Sequence, residues 1–163
     1  MRREILIGLF AVLVTGCGRH PADSVAIARD PYPDGKAFLS GIKHYPYVAS
    51  ADRVARITNG AKELHRCMTK DEVSAVLGSP DYSEIEYGPK GPNEHWLGSF
   101  WMYYVSMRSD MSNTKDPSMA VFFDTTDRAH WIVPTGIEGA NEIGSAGSVC
   151  TEIRLTSPPA REE

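Results

Sequence analysis

The sequence predicts an α+β domain over residues 49–156, in which two short N-terminal helices pack on an antiparallel β-meander of three to four strands. Two observations predict this class. Residues 50–78 repeat apolar side chains at helical spacing, and residues 81–134 then form segments of strand-like alternation separated by turn residues. Each helix has a single apolar stripe that must pack on another element, and the strands that follow supply that element.

The first seventeen residues, MRREILIGLFAVLVTGC, have the pattern of an exported lipoprotein. Two arginines precede an apolar run of about ten residues, which is too short to span a bilayer core and is typical of a removed secretion signal. The ending VTGC resembles the lipobox of bacterial lipoproteins, and an ordinary signal peptide with a chance cysteine is the alternative. We expect residues 1–16 to be the signal peptide and Cys17 to carry the lipid that anchors the protein to a membrane.

The residues after Cys17 indicate where the protein is located and which partners it binds. Residue 18 is glycine rather than the aspartate that favours inner-membrane retention in enterobacteria, so we expect the periplasmic face of the bacterial outer membrane. Removing residues 1–16 changes 17 basic and 21 acidic residues to 15 and 20, because Arg2, Arg3 and Glu4 are lost, and leaves a net charge of −5. This charge excludes nucleic acid as a partner, and without a basic cluster the lipid itself must be the membrane anchor.

Two cysteines remain once Cys17 carries lipid. In an oxidising compartment, Cys67 and Cys150 predict a disulfide, which closes a loop of about eighty residues and stabilises the fold by about 4 kcal/mol. A metal or redox role is the alternative, but His65 and Cys67 are poorly spaced as ligands, and two unpaired thiols are another. We predict no metal site and no cofactor.

Residues 17–48 are expected to be the lipidated cysteine and a linker or irregular arm, because prolines recur at 21, 31, 33 and 46. Such a spacer would hold the domain clear of the lipid headgroups. The aromatic residues Phe38, Tyr45 and Tyr47 either dock back on the domain or bind a partner. At the other end of the chain, residues 157–163 are expected to be a disordered tail.

The first predicted helix covers residues 50–65 and is capped by Ser50 or Asp52; Asn59-Gly60 weakens its middle, where a break into two pieces is the alternative. The second begins at Thr69, where Glu72 three residues later completes a capping box. Gly78 suits the left-handed C′ position, and the proline that follows at position 80 prevents continuation. The apolar residues expected to face the core from this second helix are Val73, Val76 and Leu77.

Four strands are predicted at residues 81–87, 96–107, 118–124 and 129–134, with a tight turn at TTDR between the last two. Residues 135–148 are expected to be a loop, and residues 149–155 an edge strand held by Cys150. Period-two alternation in the second strand puts Trp101 and Tyr103 on one face and Phe100 and Tyr104 on the other.

One of these two faces meets the helices, and the other exposes aromatic area, which is typical of a binding surface. Each aromatic side chain therefore either fills the core or anchors a protein partner. The candidate protein-binding residues are Trp96, Phe100, Trp101, Tyr103 and Tyr104 in the strand, together with Tyr45 and Tyr47 in the arm.

The order of these elements resembles the SmpA/OmlA (BamE-like) lipoprotein domain family. The family's hallmarks are a segment G-M-T-x-x-x-V-x-x-x-L-G-x-P, an aromatic W-x-Y strand and a strand ending in F-(D/N)-x-x-G. The matching residues are Met68, Thr69, Val73, Leu77, Gly78 and Pro80, then Trp101 and Tyr103, then Phe123 and Asp124. Cys67 replaces the glycine before methionine, and Arg128 stands near the final glycine. The same two-helix, β-meander module occurs in β-lactamase-inhibitor proteins.

The resemblance implies a non-catalytic, outer-membrane-anchored lipoprotein that binds envelope proteins, as an accessory factor in outer-membrane protein assembly or in envelope integrity. We expect no catalytic residues, and no G-x-S-x-G segment occurs in the sequence. One alternative is an inhibitor-like module that occupies an enzyme cleft with loop 88–95 or loop 108–117. Another is a small periplasmic enzyme that uses His95 or His130. The sequence predicts neither the identity of the partner nor an oligomeric state.

Overall fold

The computed structural model describes residues 29–88, 96–109, 115–148 and 150. The helices in these ranges are α1 (Gly35–Gly41), α2 (Ala51–Gly60) and α3 (Lys70–Leu77). The strands are β1 (Tyr47–Val48), β2 (Tyr82–Tyr87), β3 (Trp96–Tyr104), β4 (Ser106–Met107), β5 (Ser118–Phe123), β6 (Ala129–Thr135) and β7 (Ile143–Gly144). An antiparallel sheet has the order β2-β3-β5-β6-β7, and β1 pairs with β4 separately. The predicted α+β class is confirmed, with five strands in the sheet where three to four were predicted.

Several predicted features lie outside the described residues. They are the signal peptide at 1–16, the lipidation site at Cys17, the tail at 157–163 and nearly all of the predicted strand at 149–155. Most of the two loops proposed for enzyme inhibition, at 88–95 and 108–117, also lies outside the described ranges. Within those ranges, no helix has both the length and the apolar character needed to cross a membrane.

Helix α2 begins after Ser50, one of the two predicted N-caps, whose hydroxyl accepts a hydrogen bond from the Arg53 N–H at 3.4 Å. It ends at Gly60, so it is shorter than the predicted helix over 50–65. Packing explains why residue 60 is glycine, because a β-carbon there would lie only 2.7 Å from the nearest side-chain atom of α3. Gly60 therefore permits the close approach of α2 and α3, which its low helix propensity alone does not reveal.

Helix α3 has the predicted capping box. The Thr69 hydroxyl accepts a hydrogen bond from the Glu72 N–H at 3.2 Å, and the Glu72 carboxylate accepts one from the Thr69 N–H at 2.7 Å. The bonds from Thr69 lower the pKa of Glu72, because they favour its charged form. The helix ends at Gly78, whose φ of +80° favours glycine, although its ψ of −167° is extended rather than left-handed helical as predicted.

The core lies between α2, α3 and the inner face of the five-stranded sheet. The helices contribute Ile57, Val73 and Leu77, and the sheet contributes Trp101, Tyr103, Val121, Phe123 and Ile132. Antiparallel register aligns the sheet residues, with Trp101 opposite Val121 and Tyr103 opposite Met119. Val73 and Leu77 are fully buried as predicted, whereas Val76 is only partly buried against this cluster.

The strands differ from the prediction at two places. The segment 96–107 is not one strand, because the Val105 N–H donates to the Pro117 carbonyl at 2.9 Å and the next two residues form β4 instead. The predicted loop over 135–148 contains β7, which pairs with β6. Gly144 has a φ of +81°, and a β-carbon there would overlap the carbonyl oxygen of His130. Only glycine allows the two backbones to approach so closely.

The arm, defined here as residues 29–48, wraps around the β2 edge of the sheet. On the inner side, the Asp30 carboxylate accepts a hydrogen bond from the Trp101 indole N–H at 2.7 Å. At the edge, the Pro33 carbonyl accepts a hydrogen bond from the Ser83 N–H at 3.0 Å. Helix α1 then lies against β2 on the outer side, where its first N–H, that of Gly35, donates to a side chain of β2 at 2.9 Å. This part of the predicted irregular arm is therefore docked, and it contains a short helix and a short strand.

Cys67 and Cys150 form the predicted disulfide, with Cα atoms 5.4 Å apart and a sequence separation of 83 residues. The buried Asp124 carboxylate supports this region by accepting hydrogen bonds from the Cys150 N–H at 2.9 Å and from the Thr126 N–H and hydroxyl at 2.8 and 2.6 Å. Burial raises the pKa of Asp124, but these bonds and a further N–H from Arg128 outweigh burial, so its pKa lies below the usual value.

Candidate protein-binding surface

Four aromatic side chains lie side by side on the outer face of the sheet, the face turned away from α2 and α3. We call this set the aromatic row; it consists of Tyr82, Phe100, Phe122 and Trp131. The ring centroids of successive members are 6.0, 5.4 and 4.6 Å apart. Each of these side chains is half-buried, so part of each one remains accessible.

Strand register creates the aromatic row. Phe100 lies directly opposite Phe122, and Phe122 lies directly opposite Trp131, so three neighbouring strands present aromatic rings on the same face. The Trp131 indole N–H donates to the Glu142 carboxylate at 2.7 Å, which fixes the ring at the end of the row. Neighbouring aromatic pairs of this kind contribute about 0.5–1.5 kcal/mol each beyond area burial, so the row is held in place by its own ring contacts.

The arm covers one end of the outer face. The Phe38 ring of α1 stacks on Tyr104 with centroids 6.0 Å apart, and it meets Tyr47 edge-on at 5.8 Å. Tyr104 is therefore buried, while Tyr47 and Tyr45 are half-buried. The sequence allowed the arm aromatics either to dock on the domain or to bind a partner, and the structure shows them docked.

Of the other predicted β3 residues, two lie in the core, and the structure does not describe the side chain of the third. Trp101 and Tyr103 point to the inner face and are only 3% and 0% exposed. Trp101 packs on Phe123 with ring centroids 4.8 Å apart. Trp101 and Tyr103 therefore fill the core, which is one of the two roles that the sequence allowed. Trp96 begins β3, and its side chain lies outside what the structure describes. The structure thus places Phe100, alone among the described β3 candidates, on an accessible surface.

A polar cleft of about 620 Å³ opens on the inner side of the β2 edge, where the arm forms one wall. The Lys70 ammonium lies across it, 2.8 Å from the Asp30 carboxylate and 2.7 Å from the Asp127 carboxylate. Ile85 and Ser99 also line the cleft. Ser99 is 9% exposed, and its hydroxyl oxygen has no hydrogen-bond partner among the described residues.

The enzyme alternative named two histidines, and the structure describes one of them. His130 is buried on β6, its Nδ1 lies 3.3 Å from the Ser145 carbonyl oxygen, and it does not line the cleft. His95, the other histidine considered for an enzyme, lies outside the described ranges. Within the described part of the chain, no group of three or more histidine, cysteine or acidic residues is arranged to hold a metal ion.

Three members of the aromatic row, Tyr82, Phe122 and Trp131, were not among the predicted binding residues. Phe122 and Trp131 flank the predicted TTDR turn, and the hairpin register implied by that turn would have placed them opposite each other. Tyr82 was recognisable only as a strand residue, because its position beside Phe100 depends on the diagonal geometry of two strands joined by a long loop.

The fold and this surface define a class of protein, an α+β domain with a partly exposed aromatic sheet face. The chain matches no protein-family model, and neither a curated protein nor a solved structure is significantly similar to it. What the protein binds is therefore inferred from its own residues and from the motifs they form.

Proposed function

We propose that this protein is a non-catalytic lipoprotein, anchored in the bacterial outer membrane, that binds envelope proteins through the aromatic row. The accessible rings of Phe100, Phe122 and Trp131 are the observation that carries the proposal. Aromatic side chains dominate the energetics of protein interfaces, because they bury a large area and the most important contacts cluster in a small, desolvated centre. Rings held on a rigid sheet lose little conformational freedom when a partner binds.

Backbone conformation supports the resemblance to the SmpA/OmlA family. Among the described residues, only Cys67 and Asp127 are non-glycine residues with positive φ, at +71° and +59°. Cys67 occupies the position of the glycine in the G-M-T segment, and Asp127 is the fourth residue after Phe123, where the pattern F-(D/N)-x-x-G has its final glycine. Backbones that favour glycine therefore persist at the two positions where this chain departs from the motif.

The order of elements supports the same family. Helices α2 and α3 precede β2, β3, β5 and β6, and they pack on one face of the sheet. We infer from this order a BamE-like arrangement, with the disulfide, the docked arm and β7 as additions specific to this chain. The proposed role within the family is that of an accessory factor in outer-membrane protein assembly or envelope integrity.

Site-specific crosslinking in cells tests the binding surface. A photoreactive phenylalanine derivative at Phe122 should give crosslinked products with outer-membrane or periplasmic proteins, because this ring is central in the aromatic row. The matched control carries the same derivative at Ala75, an exposed position on α3 on the opposite side of the sheet. Equal product patterns at both positions, or products at neither, would remove the support for this surface.

Membrane anchoring is tested separately, at the lipobox. The full chain should incorporate radiolabelled palmitate and sediment with outer membranes, and the Cys17→Ser variant should do neither, since the acyl acceptor is gone. A Cys67→Ser variant serves as the control, because it also removes one cysteine but leaves the lipobox unchanged. Palmitate incorporation that persists in Cys17→Ser would refute lipidation at this residue.

A further inference from the structure

The edge of strand β2 is partly open. Strand β2 is the outermost strand of the five-stranded sheet, and the Ser83 N–H points away from β3, toward the Pro33 carbonyl. Backbone directions alternate along a strand, so the N–H and carbonyl of Ile85, two residues further on, face the same open side. Among the described residues, none forms a backbone hydrogen bond with this side of β2 beyond Ser83. An unpaired edge of this kind is a template for another extended chain.

The polar cleft lies where a side chain of such a chain would go. Residues directly opposite each other on neighbouring strands share a face, so a residue opposite Ile85 would project to the inner face. Ile85 is itself opposite Ser99 on β3, and both line the cleft. A hydrogen-bonding side chain from the added strand would enter the cleft beside the Ser99 hydroxyl and would supply the partner that this buried group lacks among the described residues.

Two carboxylates lie on the outer face beside the same edge. Glu84 and Glu86 flank Ile85, opposite Phe100 and Gly98 of β3. One carboxylate oxygen of Glu86 is buried without a hydrogen-bond partner among the described residues, and burial raises the pKa of this group. Glu84 already accepts the Gly35 N–H at 2.9 Å, so basic side chains on an added strand would pair with both charges but would supply a missing hydrogen bond only at Glu86.

We propose that the β2 edge from Ser83 to Tyr87 binds an extended segment of another protein in which two basic residues flank a polar one, and that the segment adds a strand to the sheet. Backbone hydrogen bonds at Ile85 would give affinity, and the alternating side chains would give specificity. The arm limits the site at one end, because Pro33 already accepts the Ser83 N–H. This site borders the aromatic row, because Tyr82 lies on the same strand and Phe100 is opposite Glu84, but it binds through the strand edge and does not depend on the proposed function.

A second copy of the chain fits this edge poorly. If two β2 strands paired antiparallel about Ile85, Glu84 of each copy would lie opposite Glu86 of the other. Like charges directly opposite on neighbouring strands are destabilising, and this pairing would create two such contacts. The charges beside the edge therefore favour a basic partner over self-association.

Fluorescence anisotropy on the purified full chain in detergent micelles tests the proposal. The probe is a labelled nonapeptide of alternating threonine and lysine, blocked at both ends, and the control peptide has glutamate in place of lysine. We expect the lysine peptide to bind at least about tenfold more tightly, a difference of about 1.4 kcal/mol. Bound peptide should also slow hydrogen exchange in residues 82–87 of the protein.

Two variants locate the peptide. Ile85→Pro removes the open N–H, and proline is tolerated where an edge N–H faces away from the sheet; it should reduce affinity about tenfold or more. Glu86→Gln keeps the side-chain shape and should selectively weaken the lysine peptide. Glu138→Gln is the control, and it should leave peptide affinity unchanged because this exposed carboxylate lies between β6 and β7, at the other side of the sheet from β2.

Several results would overturn this proposal. One is equal affinity for the lysine and glutamate peptides, and another is unchanged binding by a folded Ile85→Pro variant. If circular dichroism shows that Ile85→Pro does not fold, Glu86→Gln and a backbone N-methylated lysine peptide decide the question, and undiminished binding in both refutes strand addition. A dimer in sedimentation experiments that Glu86→Gln strengthens would assign this edge to a second copy instead.

Discussion

Removing the Cys67–Cys150 disulfide should take away a large part of the stability of the fold. The bridge links residues 83 positions apart, and restricting the unfolded chain over a loop of that length contributes about 4.5 kcal/mol at 25 °C. Domains of this size are stable by only about 5–15 kcal/mol in total. We therefore expect the Cys67→Ser/Cys150→Ser variant to be marginally stable at 37 °C.

A second variant separates the crosslink from the backbone conformation of Cys67. A non-glycine residue in the left-handed region costs about 1–2 kcal/mol, and the φ of Cys67 is +71°. Glycine avoids that cost but loses about 0.5–1 kcal/mol through the greater freedom of its unfolded chain. The Cys67→Gly/Cys150→Ser variant should therefore be about 0.5–1 kcal/mol more stable than the double-serine variant, although neither contains the bridge.

Urea unfolding followed by tryptophan fluorescence measures both differences, with the reduced wild-type protein as the control for loss of the bridge. The reduced protein should unfold at nearly the same urea concentration as the double-serine variant. A double-serine variant whose free energy of unfolding lies within about 1 kcal/mol of that of the oxidised protein would refute the loop-closure argument. A glycine variant no more stable than the serine variant would refute the argument from φ at Cys67.

Three further substitutions probe the fold. Asp124→Asn should lose about 1.5–3 kcal/mol at pH 7, where the charged carboxylate accepts its hydrogen bonds. Because the folded pKa of Asp124 is lowered, this stabilisation exists above its unfolded pKa of about 3.9 and disappears as pH falls through the folded pKa. Urea unfolding should therefore show a smaller loss of stability in Asp124→Asn at pH 3 than at pH 7. Thr69→Ala should cost about 1 kcal/mol in thermal unfolding through loss of the capping box, and a Thr58→Ala variant, inside α2, should be nearly neutral. Trp101→Phe should cost about 1.5–3 kcal/mol by removing the 2.7 Å hydrogen bond to Asp30. Faster hydrogen exchange in residues 34–41 would show that the arm has loosened, and unchanged exchange would show that this hydrogen bond does not hold the arm.

The elements predicted well are those whose signals are local. Thr69, Glu72 and Gly78 lie within ten residues of one another, and a capping box needs nothing from the rest of the chain. The hairpin of β5 and β6 is similarly set by a short turn and by alternation on each side of it. The disulfide was predictable for another reason, because assigning Cys17 to the predicted lipid leaves two cysteines, which have one simple pairing.

The elements predicted poorly depend on contacts with distant residues. Helix α1 is only seven residues long, too short to be stable alone, and it is held by the Phe38 ring against Tyr104 and by the Gly35 N–H on Glu84. Strand β7 has two residues and depends on the close approach of Gly144 to β6. Neither contact leaves a periodic pattern in the segment itself, so proline and glycine content alone suggested an irregular arm and a loop.

The division of the β3 aromatics between core and surface shows why the candidate binding surface could only be predicted in part. Alternation separates Trp101 and Tyr103 from Phe100 and Tyr104, but both pairs are aromatic, so hydrophobicity does not decide which face meets the helices. Packing decides it: Trp101 and Tyr103 enter the core, and the arm covers Tyr104 and leaves Phe100 accessible. Substitutions at the first pair should therefore act on stability, and those at Phe100 on binding, although the residues are adjacent in sequence.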